Sequence, residues 1–260
     1  MPEKLTAPKI RGMKGVRPIV CITAYDAPSG EIADLAGADL VLVGDSVANT
    51  VMGLDTTVPV TVANMIHHAQ AVARTCKRPL LVVDMPFGSY QASPTHAVET
   101  AIALVKTGAE AVKLEGVYVD AISAIAKAGI PIMGHIGMTP QSVHAFGGFR
   151  VQGKGQDGDR LLEQAKDLEK AGVFAVVLEL IPAVLSAKIT SSIGIPTIGI
   201  GAGPDCDGQI QVLHDVIGLS TGSFKHAKRY ANVRTQMLKA LRKYADEVRS
   251  RTFPSAENSF

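Results

Sequence analysis

The chain has 260 residues, 47% of them hydrophobic and 19% charged, with 25 Gly, 14 Pro and no Trp. That content is too apolar for disorder and long enough to bury a large core. Lys and Arg number 26 against 24 Asp and Glu, a net charge of +2, which disfavours a dedicated binder of nucleic acid or of an anionic membrane.

Residues 19–24 are predicted as the first strand and 26–36 as the helix after it. Strand two follows at 39–44, then a helix over 62–75, and strand three at 79–84. The next helix, 94–107, has Ser93 as its cap and Pro94 at its first position. Strand four (110–114), a helix (118–128) and strand five (130–135) continue the alternation. A Gly-rich loop at 137–158 precedes a helix (159–171), strand six (174–180), a helix (183–193) and strand seven (196–200). The apolar run 216–219 is read as strand eight.

In five of the units (36–45, 107–116, 128–137, 171–180 and 193–203) a helical stretch closes on Gly before the apolar run begins. Near-continuous apolar strands mean a sheet covered on both faces, hence parallel. Eight strand–helix units in one chain of this length point to an α/β fold, a single (β/α)8 TIM barrel, with a doubly wound open sheet as the alternative. The domain is expected to span 1–260, with an extra C-terminal helix at about 230–248 and a frayed tail at 254–260. That helix repeats Tyr230, Val233, Met237, Leu241, Tyr244 and Val248 at helical spacing, suited to capping the barrel or packing on a second subunit.

Cys21, Cys76 and Cys206 are odd in number, far apart and without CxxC spacing, which excludes a disulfide framework and a Cys-based zinc site. The N-terminus carries no apolar signal region, and no apolar run approaches the roughly 20 residues of a membrane span. The expected location is the cytoplasm.

Active sites of such barrels lie at the C-terminal ends of the strands. Those ends here carry Asp45, Asp84, Lys113 and Glu115, His135, and Glu179. Each has a structural role open to it: a turn cap, an Asx turn, an internal ion pair, a satisfied core histidine, a lysine partner. Together those roles would be five coincidences on one rim. Hard carboxylates without Cys suit Mg2+, with Asp45, Asp84 and Glu115 as candidate ligands. A chelating 2-oxo acid fits such an ion, with Lys113 and His135 on its carboxylate and developing oxyanion. Glu179, left without metal and partly desolvated, would gain the basicity to abstract a carbon-bound proton.

Weaker motifs are discounted. GKGQDG (153–158) follows no strand, so it is no dinucleotide site. GIGAG (199–203) is either a phosphate loop or a tight turn. His67, His68 and His144 are read as surface residues. A Schiff base at Lys113 is disfavoured because Glu115 would keep the amine protonated.

The stretches VGDSVANTVMGLDTTVPVT (43–61), VVDMPFGSY (82–90), AVKLEG (111–116), GHIGMTPQSVHAFGGFRVQGK (134–154), LELIP (178–182) and GIGAGPDCDGQIQVLHDVIG (199–218) resemble the ketopantoate hydroxymethyltransferase family. The resemblance runs over about 8–222. It implies a barrel of the phosphoenolpyruvate mutase/isocitrate lyase type. It also implies Mg2+-dependent transfer of the one-carbon unit of 5,10-methylenetetrahydrofolate to 3-methyl-2-oxobutanoate. The product would be 2-dehydropantoate (ketopantoate), with tetrahydrofolate, in pantothenate and coenzyme A synthesis. By position it implies Asp45 and Asp84 as direct metal ligands, with Glu115 beside the metal through water. Ser46, Lys113 and His135 would bind the oxo acid, and Glu179 would take the C3 proton. Members assemble as homodecamers, a pentamer of dimers, which gives the C-terminal helix an interface role. Met138, Phe149 and Arg150 depart from commoner Leu, Tyr and Lys, and the usual Pro-Lys-Phe-Val run is missing around 223–232. A related Mg2+-dependent C–C lyase would carry a cysteine in a K-x-C-G-H loop, and 137–158 has none. A binding barrel keeping the rim as a relic would not need Lys113, His135 and Glu179 intact.

Overall fold

The computed structural model describes residues 3–155, 157–222 and 224–260. Gln156 of the 153–158 motif and Ser223 of the departing 223–232 segment lie outside the described residues, as do Met1 and Pro2. Among the described residues eight strands pair in chain order, all parallel: β1 (Ile19–Thr23), β2 (Leu40–Val43), β3 (Leu80–Asp84), β4 (Ala111–Lys113), β5 (Ile132–Gly137), β6 (Ala175–Glu179), β7 (Thr197–Ile200) and β8 (Gly208–Gln211). β8 returns to β1 with Ile19 opposite Gly208, so the sheet is a closed barrel and the open-sheet alternative falls.

The helices are α1 (Ala7–Arg11), α2 (Ala27–Leu35), α3 (Val47–Thr50), α4 (Val62–Ala73), α5 (Pro94–Val105), α6 (Val119–Lys127), α7 (Val143–Phe146), α8 (Asp157–Ala171), α9 (Ala183–Ser192), α10 (Leu213–Val216) and α11 (Val233–Arg249). The starts of α2, α4 and α5 follow from short polar side chains. Asp26 accepts the Ser29 N–H at 2.8 Å, Thr61 accepts from Asn64 and Ser93 from His96. Gly172 stops α8 at φ 103°, a backbone state that a β-carbon would strain.

Strand eight is not where the apolar run placed it. Residues 216–219 fall at the end of α10 and in the turn after it, and the strand is Gly208–Gln211. That segment carries one apolar side chain, Ile210, while Gln209 is exposed. A search for two-sided apolar strands passes over it. Val20 on neighbouring β1 is exposed as well, so this sector of the sheet is buried on its inner face alone.

Alternation along each strand divides two cores. Leu40 and Leu42, Leu80 and Val82, Ala111, Met133, Ala175 and Val177, Ile198 and Ile210 fill the barrel. Val41, Val43, Leu81, Val83, Val112, Val176 and Leu178 join the layer shared with Met65, Val72, Leu104, Ile122 and Leu168 of the helices. The inner parity continues upward from Leu80 and Val82 to Asp84, from Ala111 to Lys113 and Glu115, from Met133 to His135, and from Val177 to Glu179. The apolar filling thus turns polar at one end.

The other end is closed structurally. Leu5 and Ile10 pack on the inner core, and the Leu5 N–H donates to Arg78 O at 2.9 Å. Arg17 grips Asp39 with two hydrogen bonds of 2.9 and 2.7 Å. Burial would raise the Asp39 carboxyl, but Arg17, the Val20 N–H and Arg78 together hold it below its ordinary range.

The chain forms two compact units, Met1–Val212 and Leu213–Phe260. In the second, Tyr230 N–H donates to Val216 O and Val233 N–H to Ile217 O, which ties the start of α11 to the end of α10. No residue of α11 is buried. The expected frayed tail holds one exposed 3-10 turn, Ala256–Asn258. Among the described residues no helix is long and apolar enough to cross a membrane.

Candidate active site

The polar end of the barrel gathers the expected residues into one network. Asp84 ends β3 with its carboxylate inward, and Lys113 is its ladder partner on β4. Lys113 Nζ stands 2.5 Å from Asp84 Oδ1. Asp84 Oδ2 accepts the Asp45 N–H at 3.0 Å. Asp45 lies beyond β2, off the strand's alternation, and Gly44 makes the step: a β-carbon there would stand 2.8 Å from Ser46 Oγ. Ser46 Oγ shares a hydrogen bond of 2.8 Å with the Tyr25 hydroxyl.

The network continues through residues that sequence alone did not single out. Gln141 Nε2 donates to Asp45 Oδ2 at 2.8 Å, and its backbone N–H donates to Glu115 Oε2 at 2.9 Å. Tyr90 OH donates to Gln141 Oε1 at 2.7 Å and accepts the Glu115 N–H at 3.2 Å. Tyr90 follows β3 and Gln141 follows β5, inside stretches already notable for their motifs, but neither stands at a strand end. The 137–158 loop is also less irregular than expected, with a 3-10 turn at Pro140–Ser142 and α7 behind it.

His135 lies between two acids, with Nδ1 3.4 Å from Glu115 Oε1 and Nε2 3.3 Å from Glu179 Oε2. Neither nitrogen has hydrogen-bond geometry to a described residue, so the contact is an ion pair first. Burial works against charge on this ring, but Glu115 and Glu179 outweigh it and push the imidazole up to about 9. Burial alone would lower the Lys113 ammonium, and Asp84, Glu115 and Asp45 overcome it to hold the charge firmly. Burial, then Asp84 and Glu115, push the Asp45 carboxyl well above its ordinary range. Glu179 is the most open of the acids, its side chain 14% exposed.

With all four carboxylates (Asp45, Asp84, Glu115, Glu179) ionised, they would outnumber the two cations, Lys113 and protonated His135, by two in a mostly buried mouth, and that crowding favours a proton on Asp45. A single divalent cation matches that surplus, and oxygen donors suit Mg2+. Asp45 commits Oδ2 to Gln141, and Oδ1 accepts no hydrogen bond among the described residues. Glu115 is tied at both oxygens, by Gln141 and His135. Accordingly, among the described residues no three His, Cys, Asp or Glu side chains form a ready-made cage. Mg2+ needs none, since it usually takes one or two carboxylates, waters and substrate oxygens.

The remaining motifs are structural or peripheral. GIGAG is a turn packed on α9, where a β-carbon on Gly203 would stand 2.5 Å from Ala183 Cβ. His68 Nδ1 pairs with Tyr25 O at 2.6 Å, and His144 is exposed.

Residues 4–256 match the family model described as ketopantoate hydroxymethyltransferase. The chain belongs to that family. It is 50% identical over 259 residues to the 3-methyl-2-oxobutanoate hydroxymethyltransferase of Aeropyrum pernix, covering 98% of this chain and 94% of that one. The enzyme of the same name from Carboxydothermus hydrogenoformans is 50% identical over 264 residues, covering 99% and 96%. Family membership makes this chain an enzyme, a transferase. The fold is shared with phosphonopyruvate hydrolase solved with oxalate and Mg2+ (TM-score 0.63, 13% identity, 98% of this chain and 93% of that one). It is shared too with 2,3-dimethylmalate lyase, a PEP mutase/isocitrate lyase superfamily member (TM-score 0.60, 16% identity, 98% and 91%). Both likenesses are to the (β/α)8 fold itself.

Proposed function

We propose that the chain transfers a hydroxymethyl group from 5,10-methylenetetrahydrofolate to 3-methyl-2-oxobutanoate, with Mg2+, giving ketopantoate and tetrahydrofolate for pantothenate and coenzyme A synthesis in the cytoplasm. The observation that carries this reading is the continuous contact network from Lys113 through Asp84, Asp45, Gln141, Glu115 and His135 to Glu179 at the barrel mouth. Asp45 and Asp84 would hold Mg2+, with Glu115 beside it, and the bound ion would supply charge neutralisation and polarise the oxo group. Lys113, fixed by Asp84, has N–H groups left for the substrate carboxylate. Ser46 Oγ and protonated His135 donate to the substrate oxygens, His135 where negative charge develops. Glu179 takes the C3 proton, and the enolate carbon so formed bonds to the folate-derived one-carbon unit; one water supplies the hydroxyl oxygen, and both C–N bonds of that carbon break, their nitrogens taking protons to give tetrahydrofolate.

The test is deuterium exchange at C3 of 3-methyl-2-oxobutanoate, with Mg2+ and no folate. Native enzyme should exchange, and Glu179→Gln or a chelator should stop it. Absence of exchange in native enzyme overturns the reading. The family resemblance also supports self-association into a decamer, and α11 displays Met237, Leu238, Leu241, Tyr244 and Val248 exposed. Sedimentation should show an oligomer that Leu241→Glu with Tyr244→Glu weakens; a native monomer at micromolar concentration ends that part.

A further inference from the structure

Gln141 is 4% exposed and touches all three elements that carry the candidate metal ligands. From the 3-10 turn after β5 its Nε2 donates to Asp45 Oδ2 beyond β2 and to Met85 O beyond β3, at 2.8 and 3.0 Å. Its Oε1 accepts from Tyr90 OH at 2.7 Å, and its backbone N–H donates to Glu115 Oε2 beyond β4 at 2.9 Å. Chemistry fixes which way the amide points. A carboxylate and a backbone carbonyl only accept, so both Nε2 hydrogens must face them. The Tyr90 phenol is held protonated by burial and by Glu115, so it supplies the donor that Oε1 needs. A flipped amide would set Oε1 against two acceptors.

The consequence is directional. Gln141 holds two of the three candidate ligands, each by one named oxygen: Asp45 by Oδ2 and Glu115 by Oε2. Asp45 is left with Oδ1 for an ion, and Glu115, tied also to His135, is left as a acceptor for a bound water. Because Gln141 rides on the segment after β5, the carboxylates hold this aim only while that segment is seated. Pro140 stiffens the turn, and the Ser142 N–H donates to Thr139 O at 2.8 Å.

We propose that Gln141 is a positioning residue of the divalent-ion site, aiming Asp45 and Glu115 and coupling ion binding to the order of residues 138–146. The proposal rests on the Mg2+ reading above. Residues that orient metal ligands typically change metal affinity by roughly 10–100-fold when removed.

The experiment measures Mg2+ binding calorimetrically to the full-length native enzyme and to Gln141→Ala and Gln141→Glu, with melting temperatures with and without Mg2+. Gln141→Ala should weaken Mg2+ binding roughly 10–100-fold. In native enzyme Mg2+ should slow amide hydrogen exchange across 138–146, and in Gln141→Ala it should not. Gln141→Glu keeps the shape but sets a carboxylate beside Asp45. It should melt lower than native without Mg2+ and gain more on adding it. A purely structural Gln141 lowers melting equally with and without the ion and leaves its affinity alone. Native affinity in either folded variant, or unchanged exchange in native enzyme on adding Mg2+, overturns the coupling while sparing the ion site. Failure of native enzyme to bind Mg2+ at millimolar concentration overturns the Mg2+ reading and this proposal together.

Discussion

Asp84 and Lys113 face each other as neighbours in the β3–β4 ladder, and their side chains meet at 2.5 Å with both almost wholly buried. Period-two alternation makes this pair: each residue is the next inward position above an apolar one, Val82 and Ala111. The same pair holds an ammonium and a carboxylate ready in the mouth of the barrel.

Removing one partner leaves the other charge buried. Lys113→Met should therefore destabilise the metal-free enzyme by about 3–5 kcal/mol. Lys113→Met with Asp84→Asn should recover much of that loss, because no lone charge remains. Urea unfolding in chelator reads both. Simple additivity of the two single variants would show that the pair is not coupled.

Stability without metal should fall as pH rises. His135 titrates near 6.5 in an unfolded chain and at about 9 here. Its contribution is complete below 6.5 and is lost as pH climbs through 9, on the order of 3 kcal/mol. Asp45, also raised, acts in the same direction: its advantage to the fold exists below its ordinary value of 3.8 and fades as pH rises through its folded value. Urea unfolding in chelator at pH 6 and pH 9.5 should show the drop, and His135→Gln should flatten the upper part. Stability that climbs over this range would contradict the charge assignment.

Seven strands were legible because each is a short apolar run, five of them after a Gly-closed helix, and the ladder then fixes which of their residues point inward. β8 was not, because one face of it is open and Gln209 and Gln211 break the apolar run. The rim acids were legible as polar residues ending apolar strands. Asp45 needed no alternation, since it lies past the strand in the Gly-Asp-Ser step. Tyr90 and Gln141 were hidden for a physical reason: their roles depend on loops from different strands meeting over the mouth, and local spacing carries no trace of that. The pairing of Lys113 with Asp84, rather than with Glu115 on its own strand, was hidden likewise.

Gly137 is fixed by its neighbour across the β5–β6 ladder. Its φ is 96°, and a β-carbon would stand 2.2 Å from Glu179 O. Gly137→Ala should cost about 3 kcal/mol, joining left-handed strain to overpacking. It should also displace the Glu179 carboxylate and lower kcat more than it raises KM. Gly129→Ala, at φ 84° with nothing within 4 Å, is the control and should cost about 1 kcal/mol and leave kcat alone. Equal effects from both would remove the special place given to Gly137.

The segment after β5 should close when substrate arrives. It is already hooked to the strand that carries Glu179: the Met138 N–H donates to Glu179 O and the Gln152 N–H to Leu180 O, each at 2.9 Å. Leu180 itself sits at φ 46°, a strained state for a residue with a β-carbon. Between the hooks, Phe149 and Val151 are exposed, apolar groups that gain by being covered. Arg150 and Lys154 beside them are exposed tryptic sites. If 3-methyl-2-oxobutanoate with Mg2+ closes nine molecules in ten, cleavage after these two residues should slow roughly tenfold, since proteolysis follows the open population. Cleavage at an unchanged rate, with substrate shown to be bound, would mean that the segment is a fixed wall.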